Sequence, residues 1–203
     1  MNIQSAIIAG VNLLKSKCIQ TAQLDTEILM AEVLGKDRKY IVLNNNLDLN
    51  DKNLNYFEKL INQRSSRKPI AHLIKKKFFW NSEFFVTNDT LIPRPDTELI
   101  VEQILKITKH KSIINMLDIG IGSGCILLTI LKERKKFYGV GIDISQKCYN
   151  ISKINAKNLK VEARAKFYKT DVDKFSFGKY DLIVSNPPYI NKQKLKYLED
   201  DVI

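Results

Sequence analysis

The chain has 203 residues, 44% of them hydrophobic, which is enough to bury a substantial domain and a small second one and excludes disorder as the default state. Its formal charge of +11 would suit a polyanionic partner, but the basic residues are dispersed along the whole chain and only six of 33 are Arg, so charge alone assigns no nucleic-acid function. No apolar run is long enough to span a membrane and the start MNIQSAIIAGVNLLKSK has no charged leader, which points to a soluble, cytoplasmic protein, expected as a monomer; Cys18, Cys125 and Cys148 form no CxxC, and His72 and His110 stand alone, so neither a disulfide framework nor a metal site is expected.

The first 65 or so residues read as helical, with apolar spacing through Ile7, Ile8, Val11 and Leu14, then Ile28, Leu29, Ala31, Val33 and Leu34 before Gly35. Asp25-Thr26-Glu27 reads as an acidic helix start, and Leu54 to Gln63 as a third helix. Between Ile70 and Ile92 the aromatic residues Phe78, Phe79, Trp80, Phe84 and Phe85 bracket Asn81-Ser82, which predicts a β-hairpin linking two domains. Beyond Pro95 the expected order is helix 96–108, strand 114–119, helix 124–133, strand 138–142, helix 145–156, strand 165–168 and strand 180–185. Strands separated by helices of this length predict βαβ units and a parallel, right-handed, doubly wound α/β sheet.

Four segments carry chemistry. Met116-Leu-Asp118-Ile-Gly120-Ile121-Gly122-Ser123-Gly124 is an apolar strand emptying into a glycine-rich turn and a helix, with its third glycine one residue too early for the dinucleotide fingerprint. The spacing resembles that of a D-x-G-x-G-x-G cofactor loop, with a nucleotide-binding variant and a purely structural turn as the other readings. Asp143, 19 residues past Gly124, ends the next strand, where a carboxylate can accept from both ribose hydroxyls of an adenosine; alternatively it caps the helix that follows Ser145. Asp171 and Val172 follow the third strand, where they would flank an adenine, although acidic residues at strand ends are common.

The fourth segment, Ser185-Asn186-Pro187-Pro188-Tyr189, follows the apolar strand Asp181 to Val184. An amide nitrogen is a poor nucleophile because its lone pair is delocalised into the carbonyl. The Asn186 side-chain oxygen and the Pro187 carbonyl could each accept one N–H of a planar amino group, and the fixed φ of proline prearranges the second acceptor. Tyr189 could pack beside the reacting methyl, where its ring face tolerates positive charge. Asn186, Pro187 and Tyr189 are the candidate catalytic residues; Asn186, Pro187, Pro188 and Tyr189 are the candidate substrate-binding set.

The glycine loop, Asp143 and Asn-Pro-Pro-Tyr together resemble methyltransferases that modify planar amino groups: glutamine in proteins, adenine or cytosine in DNA, guanine in ribosomal RNA. Pro69-Ile-Ala-His-Leu73, Phe78-Phe-Trp80, Thr90-Leu-Ile-Pro93-Arg94-Pro95-Asp96-Thr97-Glu98 and the segment Asp25 to Gly35 narrow this to a resemblance to the release factor glutamine methyltransferase family (HemK/PrmC). The resemblance implies a Rossmann-like class I S-adenosylmethionine methyltransferase sheet with a small helical N-terminal domain, arranged as a helical substrate-recognition domain (1–68), a hairpin linker (69–93) and a catalytic domain (94–203). It implies S-adenosyl-L-methionine as cofactor, held by Gly120, Ile121, Gly122, Ser123, Gly124, Asp143, Asp171, Val172 and Asn186. The implied substrate is the glutamine of the Gly-Gly-Gln motif in class I release factors. Two departures stand out: Val172 replaces a frequent aromatic residue, and the chain stops at Ile203, soon after the fourth of the family's seven strands. That predicts an incomplete sheet with Leu182 to Val184 as an open, aggregation-prone edge. A base-modifying methyltransferase and a catalytically dead release-factor-binding remnant are the alternative functions.

Overall fold

The computed structural model describes residues 1–187, so the expectations for Pro188 and Tyr189 lie outside the described residues. Two compact units divide between Ile74 and Lys75.

The first unit is helical: α1 (Ile3–Ser16), α2 (Ala22–Leu34), α3 (Arg38–Leu43), α4 (Asp51–Ser65) and α5 (Ile70–Ile74). Asn2, Asp37 and Asn50 each cap a helix by accepting a backbone N–H from three residues on, at 2.7–2.8 Å. A Cβ on Gly10 would lie 3.0–3.3 Å from Thr26, Ile61 and Phe57, so this glycine lets α1 close on α2 and α4. The short helices α3 and α5 have no counterpart in the periodicity. Asp25 stands in the first turn of α2, as expected of an acidic helix start, although α2 begins three residues earlier, at Ala22. Its carboxylate is buried and accepts from Arg64 Nε at 2.7 Å and from Thr21 Oγ1 at 2.8 Å, an inward ion pair with its hydrogen bonds in place.

In the second unit β1 (Lys76–Phe79) and β2 (Ser82–Phe85) form an antiparallel hairpin with Phe79 opposite Ser82. The turn is therefore Trp80-Asn81, one residue earlier than the aromatic pattern suggests. Trp80 accepts a φ of 53° there because its main-chain N–H donates to Glu98 at 2.7 Å and its indole N–H to Glu133 at 3.1 Å. Phe79 and Phe84 are buried in the unit's core.

A 3₁₀ turn, Pro95–Thr97, leads into α6 (Glu98–Ile107). Then follow β3 (Asn115–Ile119), α7 (Cys125–Glu133), β4 (Tyr138–Asp143), α8 (Gln146–Asn158), β5 (Ala165–Lys169) and β6 (Leu182–Ser185). The strands are all parallel in the order β5-β4-β3-β6. The chain steps outward from β3 through β4 to β5 and then returns to the other side of β3, so the strand order reverses there. That reversal opens a crevice at the carboxyl ends of the strands, where ligands bind in such sheets. Among the described residues β6 is an edge, hydrogen-bonded to β3 alone, with Ile183 59% exposed.

Met116, Gly139, Ala165 and Leu182 share the face that packs on the helices. A Cβ on Gly139 would overlap Leu127 of α7, which is fully buried. Gly139→Ala is expected to destabilise the protein by about 1–3 kcal/mol, because Leu127 has to leave its well-packed position. Urea denaturation would measure this, and a variant as stable as the wild type would contradict the close approach. Arg164 closes the far end of α7, donating to the carbonyls of Leu131, Arg134 and Phe137 at 2.6–2.9 Å.

Candidate active site

The turn after β3 is held by main-chain bonds that only a glycine-rich sequence permits. Gly120, Gly122 and Gly124 have φ of 75°, 53° and 82°, the left-handed region that a side chain disfavours. Gly120 and Ile121 both donate to Ile142 O, at 2.9 and 3.0 Å, and Gly124 donates to Ile121 O at 2.8 Å. The glycines differ in what surrounds them. A Cβ on Gly120 would meet nothing within 4 Å, and one on Gly122 only the Gly120 carbonyl at 3.9 Å, so the loop faces open space at these two positions. A Cβ on Gly124 would press on Leu128 at 2.7 Å, which marks this glycine as the one that lets α7 pack closely.

Asp143 is joined directly to that loop. One carboxylate oxygen accepts from Gly122 N–H at 3.0 Å and the other from Ser145 N–H at 2.9 Å. Ser145, not Asp143, caps α8, its hydroxyl accepting from Cys148 N–H at 3.3 Å. A carboxylate offers about four lone-pair directions, so two main-chain donors leave capacity for a ligand's hydroxyls. Thr170 N–H donates to Asp143 O at 2.9 Å, which brings Asp171 and Val172 to the same end of the sheet. Asp171 also has a local role there, accepting from Asp173 N–H at 3.2 Å to cap a 3₁₀ turn; Val172 is half-exposed.

On the other side of β3, Ser185 Oγ donates to Ile119 O at 3.0 Å and fixes the end of β6 beside the start of the glycine loop. Asn186 follows, and its Nδ2 donates to Thr97 Oγ1 at 3.4 Å. Thr97 belongs to the Pro93-Arg94-Pro95-Asp96-Thr97-Glu98 segment, so two stretches that are 89 residues apart meet at one side chain. Pro187 is exposed.

Two groups not assigned a role from the sequence lie beneath the loop. Asp118, 2% exposed on β3, accepts from Leu127 N–H in the first turn of α7 at 3.3 Å. Burial pushes its carboxyl up to about 7, against the pull of the Leu127 N–H, and the nearby Asp143 charge adds to the rise. Asn155, fully buried on α8, reaches the Ser123 carbonyl at 2.8 Å. A signal for it existed in the sequence: it continues the inward stripe Cys148, Ile151, Ser152 at helical spacing. Cys125, at the start of α7, is no nucleophile at neutral pH, because burial pushes its thiol up to about 12. Among the described residues no cluster of His, Cys, Asp or Glu could hold a metal, and no helix is long and apolar enough to cross a membrane.

Residues 5–74 match the family model described as PrmC N-terminal domain, and residues 95–200 the one described as Methyltransferase small domain. A release factor glutamine methyltransferase from Buchnera aphidicola subsp. Acyrthosiphon pisum (strain APS) is 35% identical over 202 residues, covering 100% of this chain and 72% of the relative. The chain belongs to the release factor glutamine methyltransferase family. A second member, from Clostridium acetobutylicum, is 34% identical over 205 residues with the same coverage, and one from Caulobacter vibrioides is 33% identical over 203 residues, covering 100% of this chain and 70% of its own. A solved SAM-dependent methyltransferase from Geobacter sulfurreducens in complex with S-adenosyl-L-homocysteine overlaps 45% of this chain and 36% of its own at 26% identity, with a TM-score of 0.39, too partial a likeness to carry weight. Membership makes the chain an S-adenosylmethionine-dependent methyltransferase with the Rossmann-like sheet described above. The open space over Gly120 and Gly122 and the spare acceptor capacity of Asp143 fit that cofactor.

Proposed function

We propose that this chain methylates the side-chain amide nitrogen of the glutamine in the Gly-Gly-Gln motif of bacterial class I release factors, in the cytoplasm. The observation that carries the reading is the position of Asn186 at the carboxyl end of β6, across the switch point from the glycine loop and tied to Thr97. S-adenosylmethionine supplies an electrophilic methyl on a positively charged sulfur. Gly120 to Gly124 and Asp143 hold the cofactor, with Asp171 and Val172 near its base. With its Nδ2 on Thr97, the Asn186 amide is oriented so that Oδ1, an acceptor, takes one N–H of the substrate amide. The Pro187 carbonyl takes the other N–H, and Pro188 and Tyr189 complete the substrate side. The new N–C bond forms as the S–C bond breaks, and the nitrogen then loses a proton to solvent, so no strong base is needed. Holding two reactants in line in this way supplies on the order of 7–11 kcal/mol in favourable cases. Residues 1–68 act as the recognition domain for the release factor, and 69–93 link them to the catalytic residues 94–203.

The test is to incubate the chain with S-adenosylmethionine and an unmodified release factor and to look by mass spectrometry for one added methyl on the Gly-Gly-Gln peptide. A methyl there supports the reading; label found on RNA or DNA, or on no substrate, counts against it. Asp143→Asn replaces one acceptor oxygen by a donor facing a main-chain N–H, which opens either the Gly122 or the Ser145 contact and removes the charge. Its affinity for S-adenosylhomocysteine is expected to fall about 10–100-fold, read by calorimetric titration, since a hydrogen bond to a charged group contributes about 1.5–3 kcal/mol.

A further inference from the structure

Asn155 makes three main-chain hydrogen bonds with one fully buried amide. Its Oδ1 accepts from Phe85 N–H at 2.7 Å, while Nδ2 donates to Phe85 O at 2.9 Å and to Ser123 O at 2.8 Å. Phe85 is the last residue of β2, so the amide meets the hairpin as a neighbouring strand would, donor to acceptor and acceptor to donor. Ser123 lies inside the glycine loop. The amide's orientation is fixed by these partners, because reversing it would set a donor against Phe85 N–H and an acceptor against two carbonyls. The peptide bond is planar, so holding the Ser123 carbonyl also sets the direction of Gly124 N–H, which donates to Ile121 O at 2.8 Å. Asn155 thereby fixes the loop at the Ser123–Gly124 peptide, whereas Gly120 and Gly122 face open space.

We propose that Asn155 is a positioning residue for the cofactor: its amide ties the glycine loop to the hairpin, so that the placement of β2 and the loop's hold on the cofactor are coupled. This rests on the reading of Gly120 to Gly124 as the cofactor loop. None of its atoms has to touch the cofactor; it acts through the Ser123–Gly124 peptide.

The test uses the full chain, with S-adenosylhomocysteine as the probe. Wild type, Asn155→Asp and Asn155→Ala are titrated calorimetrically, and amide exchange at Phe85 is followed by NMR with and without the probe. Asn155→Asp keeps an acceptor for Phe85 N–H and loses both donors. Its dissociation constant is expected to rise about tenfold, the loss of roughly one buried hydrogen bond. In the wild type the probe slows exchange at Phe85 beyond the general slowing at the amides of β4, and in Asn155→Asp that extra slowing disappears. A purely structural role would lower the melting temperature of the variants and leave the dissociation constant of the folded protein, and the Phe85 response, unchanged; that result overturns the proposal. If neither variant folds, the wild-type exchange decides, and a Phe85 amide indifferent to the probe overturns it. A wild type that does not bind the probe at all overturns the cofactor-loop reading itself, and this proposal with it.

Discussion

Asn186→Ala is expected to reduce the rate of methyl transfer by on the order of 10²–10³-fold while leaving the affinity for S-adenosylhomocysteine within about threefold of the wild type. The expected loss is that of removing one preorganised polar group from a reacting centre. In the proposed geometry the alanine leaves one substrate N–H without its acceptor, and the amide is free to turn its lone-pair face away from the methyl. The loop contacts at Gly122 and Asp143 do not involve Asn186, so whatever share Asn186 has in holding the cofactor is expected to be small and binding to stay mostly intact. Initial rates with a release factor, together with a titration of the product cofactor, separate the two quantities. Unchanged methylation would remove Asn186 from the mechanism, and a parallel loss of both would make its role one of cofactor binding.

Asp118→Asn is expected to make the protein more stable at pH 8 and to flatten its dependence on pH. Burial raises the folded carboxyl from the ordinary 3.8 to about 7, which corresponds to roughly 4 kcal/mol at full effect. Its pKa is raised on folding, so the folded state keeps a proton that the unfolded state releases between those values. The stability tied to that proton is full below pH 4, declines as pH rises and is gone above about 7. Asparagine stays neutral throughout and keeps an oxygen for Leu127 N–H. The variant should therefore match the wild type near pH 4 and exceed it by up to about 4 kcal/mol at pH 8, as read from urea midpoints at several pH values. A variant whose stability changes with pH as steeply as the wild type's would show that Asp118 is ionised at little cost.

Much of the second unit was legible because its strands and helices are punctuated locally. Ser145 announces α8, the glycines announce the turn after β3, and the strand and helix limits fall within a few residues of expectation. The misses have a common cause in distance along the chain. Asp25 does lie in the first turn of a helix, but nothing near it reveals Arg64, 39 residues on, which draws it inward. The hairpin turn falls one residue early because Glu98 takes the Trp80 N–H, a partner 18 residues away. The helices α3 and α5, six and five residues long, are too short to show a period, although Asp37 with its bond to Tyr40 N–H is a visible cap. At the candidate site, the glycine loop and Asp143 stand out in the sequence, whereas the bond between them does not. Thr97 is visible as part of a motif, while its contact with Asn186 depends on the whole fold.

The pairing of β3 with β6 has a consequence for the order in which the protein comes into being. Met116 waits 66 residues for Leu182, and the pair is locked at its start by Asn115 N–H donating to Asp181 at 2.8 Å and Asp181 N–H donating to Asn115 O at 2.9 Å. A chain made from its N-terminus has every residue of Gly120 to Gly124, Asp143 and Asn155 outside the ribosome well before Asn186 emerges. Long-range strand pairing is the slow part of folding. The nascent protein is therefore expected to acquire its grip on a methyl donor first, and only as the last described strand zips onto β3 does it gain the residue that can present an amide to it.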